Sequence, residues 1–344
     1  MATSLADVAR IANLSKATVS RVLAGRSCVS EEKRERALKA IESLNYQPNR
    51  SAQSLRRRRN AAYPGLVYNT FVVAAISSSN SVDNFLRHNG AVYDGIMEAA
   101  HERDVHLLLK LIPADQCRQP ITPPCLTGLG YDVLMVSPAP GVDCRSVALA
   151  GRVVWFGARP CGVEDPAVVE GDPRRGVEGI LRHLRETLGH RRICLFLDND
   201  YHLPYLDRRD AFRSMAAGFG LEACEPAEFA GGERLPEFIE MFKRSPRRPT
   251  AIVVASDGVG ARLVTALQEA GFSVPKDISV TGFDGRDKSR WCTPGLTTWE
   301  VDWHEMGRST LQQAVLMAER KHSTRVLIGG RLLEQGSTAK VGQV

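Results

Sequence analysis

Apolar residues set two different rhythms along the chain. Over residues 1 to 60 they recur at helical spacing in three short runs: Leu5, Val8, Ala9 and Ala12; then Val19, Val22 and Leu23; then Ala37, Ile41 and Leu44. Beyond Pro64 short continuous apolar runs alternate with amphipathic ones. FVVAAI, VHLLLKL, DVLMVS, RVVWFG, RRICLFL, TAIVVAS and DISVTGF read as buried strands, and VYDGIMEAAHERD, GVEGILRHLRETLG and ARLVTALQEAGF as helices. Such alternation implies parallel sheets covered by helices, and its length suffices for two of them. Ligands of such sheets bind beyond the C-terminal ends of the strands.

The punctuation of the three early runs sharpens them. Ser4 caps the first, with Asp7 three residues on, and Asn13 and Leu14 break it. Ser15 caps the second, KATVSRVLAG, which Gly25 ends; Val19, Val22 and Leu23 turn inward while Lys16, Ala17, Ser20 and Arg21 stay outside. Ser30 caps the third, with acidic residues in its first turn. Two short helices joined by a tight turn and followed by a third form a unit too small for much besides binding. A recognition helix of this kind enters the major groove with its N-terminal side chains facing base edges. There Lys16 donates to guanine or phosphate, Ala17 fits against a thymine methyl, and Arg21 forks onto guanine.

Charge supports that reading. The net +6 is unevenly placed, because residues 1 to 60 hold 13 Lys and Arg against 5 Asp and Glu, leaving 32 against 34 for the remainder. A basic head on a near-neutral body is the footprint of nucleic-acid binding.

LADVARIANLSKATVSRVLAG followed by VSEEKRERALKAIESLNYQPNRSAQSL resembles the DNA-binding head and hinge of the lactose-repressor (LacI/GalR) family of bacterial transcription regulators. The resemblance implies an all-α helix-turn-helix head over residues 1–47, with Ser4, Ser15, Lys16, Ala17, Thr18, Ser20 and Arg21 on operator DNA. It also implies a hinge and basic linker at 48–59, folding in the minor groove, with Asn49, Arg50 and Ala52 at the DNA and Leu55 as an apolar wedge. Kinking a duplex step costs a few kcal/mol, offset by new contacts. Arg56, Arg57, Arg58 and Arg59 would then lie against phosphates and add salt-sensitive affinity without sequence information.

The body is similar, with gaps, to the family's two-lobed effector-binding core, a periplasmic-binding-protein-like α/β fold. The similarity is carried by GHRRICLFL, RRDAFRSM, PTAIVVASD, LQEAGFSVPKDISVTGFD and PGLTTWEVDWHEMG. It implies one lobe at about 65–171 and 302–322 and a second at about 172–301 and 323–344. It further implies a small polar effector, a sugar or sugar derivative, held by Arg208, Ser256, Asp257 and Asp284. Two departures stand out. SSSNSVDNFLRHNG replaces the family's usual segment after the first strand, where Ser77 and Ser78 can still offer hydroxyls and Phe85 a wall; PADQCRQPITPPCLTGLG, with four prolines, interrupts the next helix.

Other chemistry finds little support. The eight cysteines are scattered without a C-x-x-C pair, and no two histidines are spaced as H-x-x-x-H, so neither a disulfide frame nor a metal site is expected. SDGVGARL lacks the third glycine of a dinucleotide turn, and EQGSTAK lacks P-loop spacing. No catalytic constellation can be assembled, and no cofactor is expected. No run approaches the roughly 18 apolar residues of a membrane span, and no signal core is visible, so a cytoplasmic protein without a membrane partner is expected. A hinge of this length is too short to be a stable helix alone and calls for a homodimer on a pseudo-palindromic operator; LLEQGSTAKVGQV holds no leucine heptad, so no tail-built tetramer is expected. The alternative from another class is a solute-binding protein or sugar-metabolising enzyme sharing the body fold.

Overall fold

The computed structural model describes residues 5–23, 29–44, 68–77, 82–118, 121–198, 202–224, 226, 228–229, 235–286 and 290–342, of which 82–88 are described as backbone only. The chain forms two compact units, residues 1–69 and 70–344.

The first unit contains α1 (Leu5–Ala12), α2 (Lys16–Leu23) and α3 (Glu31–Ser43). Val8, Ala9, Ala12, Val19 and Ala40 form one small core, and Val22, Val29 and Ala37 another. Asn13 takes φ 49°, which an asparagine tolerates better than most residues, and this reverses the chain between α1 and α2. The Ser15 hydroxyl accepts from the Thr18 N–H at 3.1 Å, satisfying an orphan donor of α2. Ser30 occupies the N-cap position of α3, but its side chain makes no capping bond, so that end rests on its acidic first turn. The Arg36 guanidinium donates to the carbonyls of Ala12 (2.8 Å) and Asn13 (3.1 Å), tying α3 to the α1–α2 turn.

In the second unit the first sheet runs β11-β5-β4-β3-β1-β2 and the second β12-β10-β9-β8-β6-β7. The strands of the first are β1 (Thr70–Ser77), β2 (His106–Pro113), β3 (Val133–Ser137), β4 (Val153–Phe156), β5 (Val168–Gly171) and β11 (Val326–Ile328), all parallel. The strands of the second are β6 (Ile193–Phe196), β7 (Glu228–Phe229), β8 (Ala251–Val254), β9 (Ser279–Asp284), β10 (Thr297–Val301) and β12 (Gly330–Leu333), with β12 alone antiparallel. All seven apolar runs read as strands lie in these sheets, and the central positions of six are buried; VHLLLKL, expected to be buried, forms the edge strand β2, where Leu108 and Leu109 are exposed.

Helices α4 (Val82–Glu102), α5 (Arg145–Ala148), α6 (Pro173–Arg182), α7 (Leu203–Ala216), α8 (Leu235–Arg244), α9 (Asp257–Glu269) and α10 (Trp303–Ala318) complete this unit. Where the proline-rich segment interrupts the pattern, the described residues form only 3-10 turns at Ala114–Arg118 and Pro124–Leu126. One expected boundary shifts. β11 pairs with β5 of the first sheet, so the chain re-enters the second sheet at Gly330, not at 323. Glycine is required at that entry because a Cβ on Gly330 would lie 2.1 Å from the Glu300 carbonyl oxygen.

Candidate functional site

On the first unit, Lys16, Ala17 and Arg21 are exposed on α2, while Thr18 and Ser20 are half-buried beside the inward Val19 and Val22. The basic face is thus presented on a helix whose opposite face is fixed in the core. Ser4, Asn49, Arg50, Ala52, Leu55, Arg56, Arg57, Arg58, Arg59 and the helix end at Gly25 lie outside the described residues, as does the whole 48–59 hinge.

On the second unit a cleft of about 410 Å³ opens at the C-terminal ends of the strands of both sheets. The first sheet and its helices contribute Asn89, Ser137 after β3, Gly157 and Ala158 after β4, and Trp303 at the start of α10. The second contributes His202 at the N-cap of α7, Tyr205 and Arg208 from α7, Ser256 and Asp257 after β8, Asp284 at the end of β9, and Arg286 just beyond it. Arg208, Ser256, Asp257 and Asp284 are therefore brought together as expected. Ser77 ends β1 without lining the cleft, and Ser137 stands at the neighbouring strand end; Ser78 and the side chain of Phe85 lie outside the described residues.

Each polar group is held by specific neighbours. Arg208 is buried, donates to Asp284 Oδ1 at 2.7 Å and to the Ala255 carbonyl, and stacks 3.7 Å from the centre of the Phe283 ring. Asp284 has φ 105°, a conformation costing a non-glycine residue of order 1–3 kcal/mol. It is pinned there by Arg208 and by Trp303 Nε1, which donates to its carbonyl at 2.7 Å. Gly285 follows at φ 68°, and a Cβ there would lie 2.4 Å from Glu300 Cα, so the turn that carries Arg286 back over the cleft needs glycine.

Asp257 accepts from the Thr298 hydroxyl at 2.5 Å and from the Arg286 N–H at 2.8 Å. Burial, and then the neighbouring Asp284 charge, push its pKa up to about 7. Burial raises the Tyr205 phenol to about 12 and lowers the His202 imidazole to about 4, leaving both neutral near pH 7. These groups can hydrogen-bond and charge-pair a small polar molecule; no nucleophile, base and orienting partner are aligned among them.

Two contacts cross the cleft. Trp303, on a helix packed against the first sheet, bonds to Asp284 of the second, and Arg159, just after β4, pairs with Asp207 on α7. Sequence reasoning missed Trp303, Arg286, Tyr205 and His202. Trp303 lies inside PGLTTWEVDWHEMG but reads as a core aromatic, and Arg286 sits in a loop where periodicity says nothing.

Among the described residues no helix is long and apolar enough to cross a membrane, and no group of three or more His, Cys, Asp or Glu is placed to hold a metal ion.

Comparisons with known proteins agree with both units. Residues 4–49 match the model described as bacterial regulatory proteins, lacI family, and residues 181–338 match a periplasmic binding protein-like domain. The chain is 29% identical over 331 residues to the HTH-type transcriptional regulator CelR of Thermobifida fusca, covering 92% of this chain and 91% of that one. The structure of the Lac repressor dimer bound to operator and the anti-inducer ONPF superposes with a TM-score of 0.72 at 21% identity, covering 98% of this chain and 100% of that one. A CelR–cellobiose complex superposes with a TM-score of 0.65 at 23% identity, over 97% and 99% of the two chains. The chain thus carries a lacI-family head over residues 4–49 and a periplasmic-binding-protein-like domain over residues 181–338, and it is similar to HTH-type transcriptional regulators over more than nine-tenths of its length.

Proposed function

We propose that this chain is a sequence-specific DNA-binding transcription regulator, a repressor, whose hold on its operator is set by a small polar effector in the cleft. The observation that carries this reading is the pairing, in one chain, of an exposed basic helix face on α2 with a cleft where Arg208, Asp257 and Asp284 converge. Lys16, Ala17 and Arg21 read base edges; Ser4, Ser15, Thr18, Ser20, Asn49, Arg50 and Ala52 orient the protein on the backbone and groove; Leu55 is the wedge, and Arg56 to Arg59 meet phosphates. The protein acts in the cytoplasm as a homodimer on a pseudo-palindromic site, and carries out no catalysis. A sugar or sugar derivative is the effector class, supported by the relative whose complex contains cellobiose.

Control follows from the contacts that cross the cleft. A ligand that favours one spacing of the two lobes biases the Trp303–Asp284 and Arg159–Asp207 contacts and, through the first lobe, the separation of the paired hinges. Asp284→Asn and Arg208→Ala are expected to leave operator affinity intact while abolishing the effector's influence on it. Fluorescence anisotropy of an operator duplex, titrated with candidate sugars, tests this; an unchanged response in both variants removes the two residues from the site.

A further inference from the structure

The cleft contains two guanidinium groups in different states. Arg208 is engaged at both of its terminal nitrogens, on Asp284 and on the Ala255 carbonyl, and stacks on Phe283. The side chain of Arg286 lies 3.8 Å from the centre of the Trp303 ring and lines the cleft, yet among the described residues nothing accepts a hydrogen bond from its guanidinium. Three of the four nearby carboxylate oxygens hold other partners. Asp257 uses Oδ1 for the Thr298 hydroxyl and Oδ2 for the backbone N–H of Arg286, and Asp284 Oδ1 is taken by Arg208.

A guanidinium keeps its charge and presents five N–H donors in a planar fork. With one face on an indole and the side chain half-buried in the cleft, the acceptor that best fits the unmatched fork is a bidentate oxyanion. The surroundings favour the same occupant. Ser256 and Gly258, at the N-terminus of α9, line the cleft, and the positive end of a helix dipole favours negative charge. Asp257, raised to about 7, is partly neutral near pH 7 and opposes an anion less than an ordinary carboxylate would.

We propose that the effector carries an anionic group, a carboxylate or a phosphate, that seats on Arg286 against Trp303, leaving its hydroxyl-bearing remainder to Asp284, Asn89 and Ser137. This rests on the reading of the cleft as the effector site.

The test is calorimetric titration of the full chain, wild type, Arg286→Gln and Arg286→Lys, with glucose, gluconate, glucose 6-phosphate and inorganic phosphate, beside operator anisotropy with the same compounds. At least one anionic probe is expected to bind more tightly than glucose, with gluconate against the two phosphate probes telling carboxylate from phosphate. Arg286→Gln should weaken that probe by about 10- to 100-fold without weakening glucose. Arg286→Lys, which keeps the charge but not the fork, should retain part of the preference and also shows that the fold tolerates substitution there. Glucose binding as tightly as every anion, no anion binding at millimolar concentration, or an undiminished preference in Arg286→Gln would overturn the proposal. An anion that binds through Arg286 but leaves operator occupancy unchanged would uphold the anion site and defeat the control reading instead. A neutral sugar that alone releases or tightens operator binding would do the reverse.

Discussion

Asp257 illustrates how one residue couples the cleft to pH. Its carboxyl is buried between Thr298 and the Arg286 backbone, and burial together with Asp284 raises its pKa from the ordinary 3.8 to about 7. The folded protein therefore holds this proton more tightly than the unfolded chain. The resulting stabilisation is fully present below pH 3.8 and is lost as pH rises through about 7. His202 works in the opposite sense, because burial and then Arg208 lower it to about 4, so acidification from 6.5 toward 4 disfavours the folded state. Asp257→Asn removes only the first effect. Urea denaturation at pH 5 and pH 8 should show the wild type losing about 2 kcal/mol more than the variant on going to the higher pH. Equal pH dependence in the two proteins would mean that Asp257 ionises normally. Binding of an anion beside this group should also weaken as pH rises through the same range, since ionised Asp257 repels it.

Between elements, the crossing of α4 and α10 matters most for the cleft because α10 begins with Trp303. The two helices meet through glycines: a Cβ on Gly95 would lie 2.1 Å from the His304 carbonyl oxygen, and one on Gly307 would lie 2.0 Å from that of Val92. Neither obstacle is a flexible side chain, so the helices must separate to admit a methyl. Gly307→Ala is expected to cost about 1–3 kcal/mol and to displace Trp303. Urea midpoints and Trp fluorescence check this, and a variant with unchanged values on both would deny the close crossing. The pattern of apolar residues revealed the central strands because they are buried on both faces and read as continuous runs. Other strands were hidden by their polar content or their brevity. In β10, Thr297 and Thr298 are fully buried but polar, satisfied by Gln335, Thr338 and Asp257, while β5 is four residues long with a charged Glu170 inside it. Within the cleft, Arg208 and Asp284 were legible through the family pattern, whereas Arg286 depends on the turn at Gly285, which no spacing rule encodes.

For the whole molecule, the basic excess confined to residues 1 to 60 makes DNA affinity strongly dependent on salt. Replacing Arg56 to Arg59 by Gln should make the log–log salt slope shallower by roughly 0.9 for each phosphate that is no longer neutralised. An unchanged slope would reduce those arginines to a solvated run. The central claim is that the head reads a particular two-fold DNA sequence, and selection of duplexes from a randomised library by the wild type and by Arg21→Ala tests it most directly. The wild type should enrich one pseudo-palindromic sequence. Arg21→Ala should bind it more weakly by roughly 1–3 kcal/mol and relax the preference at one symmetric pair of positions. Failure of the wild type to enrich any sequence, or enrichment of sites without two-fold symmetry, would contradict the account.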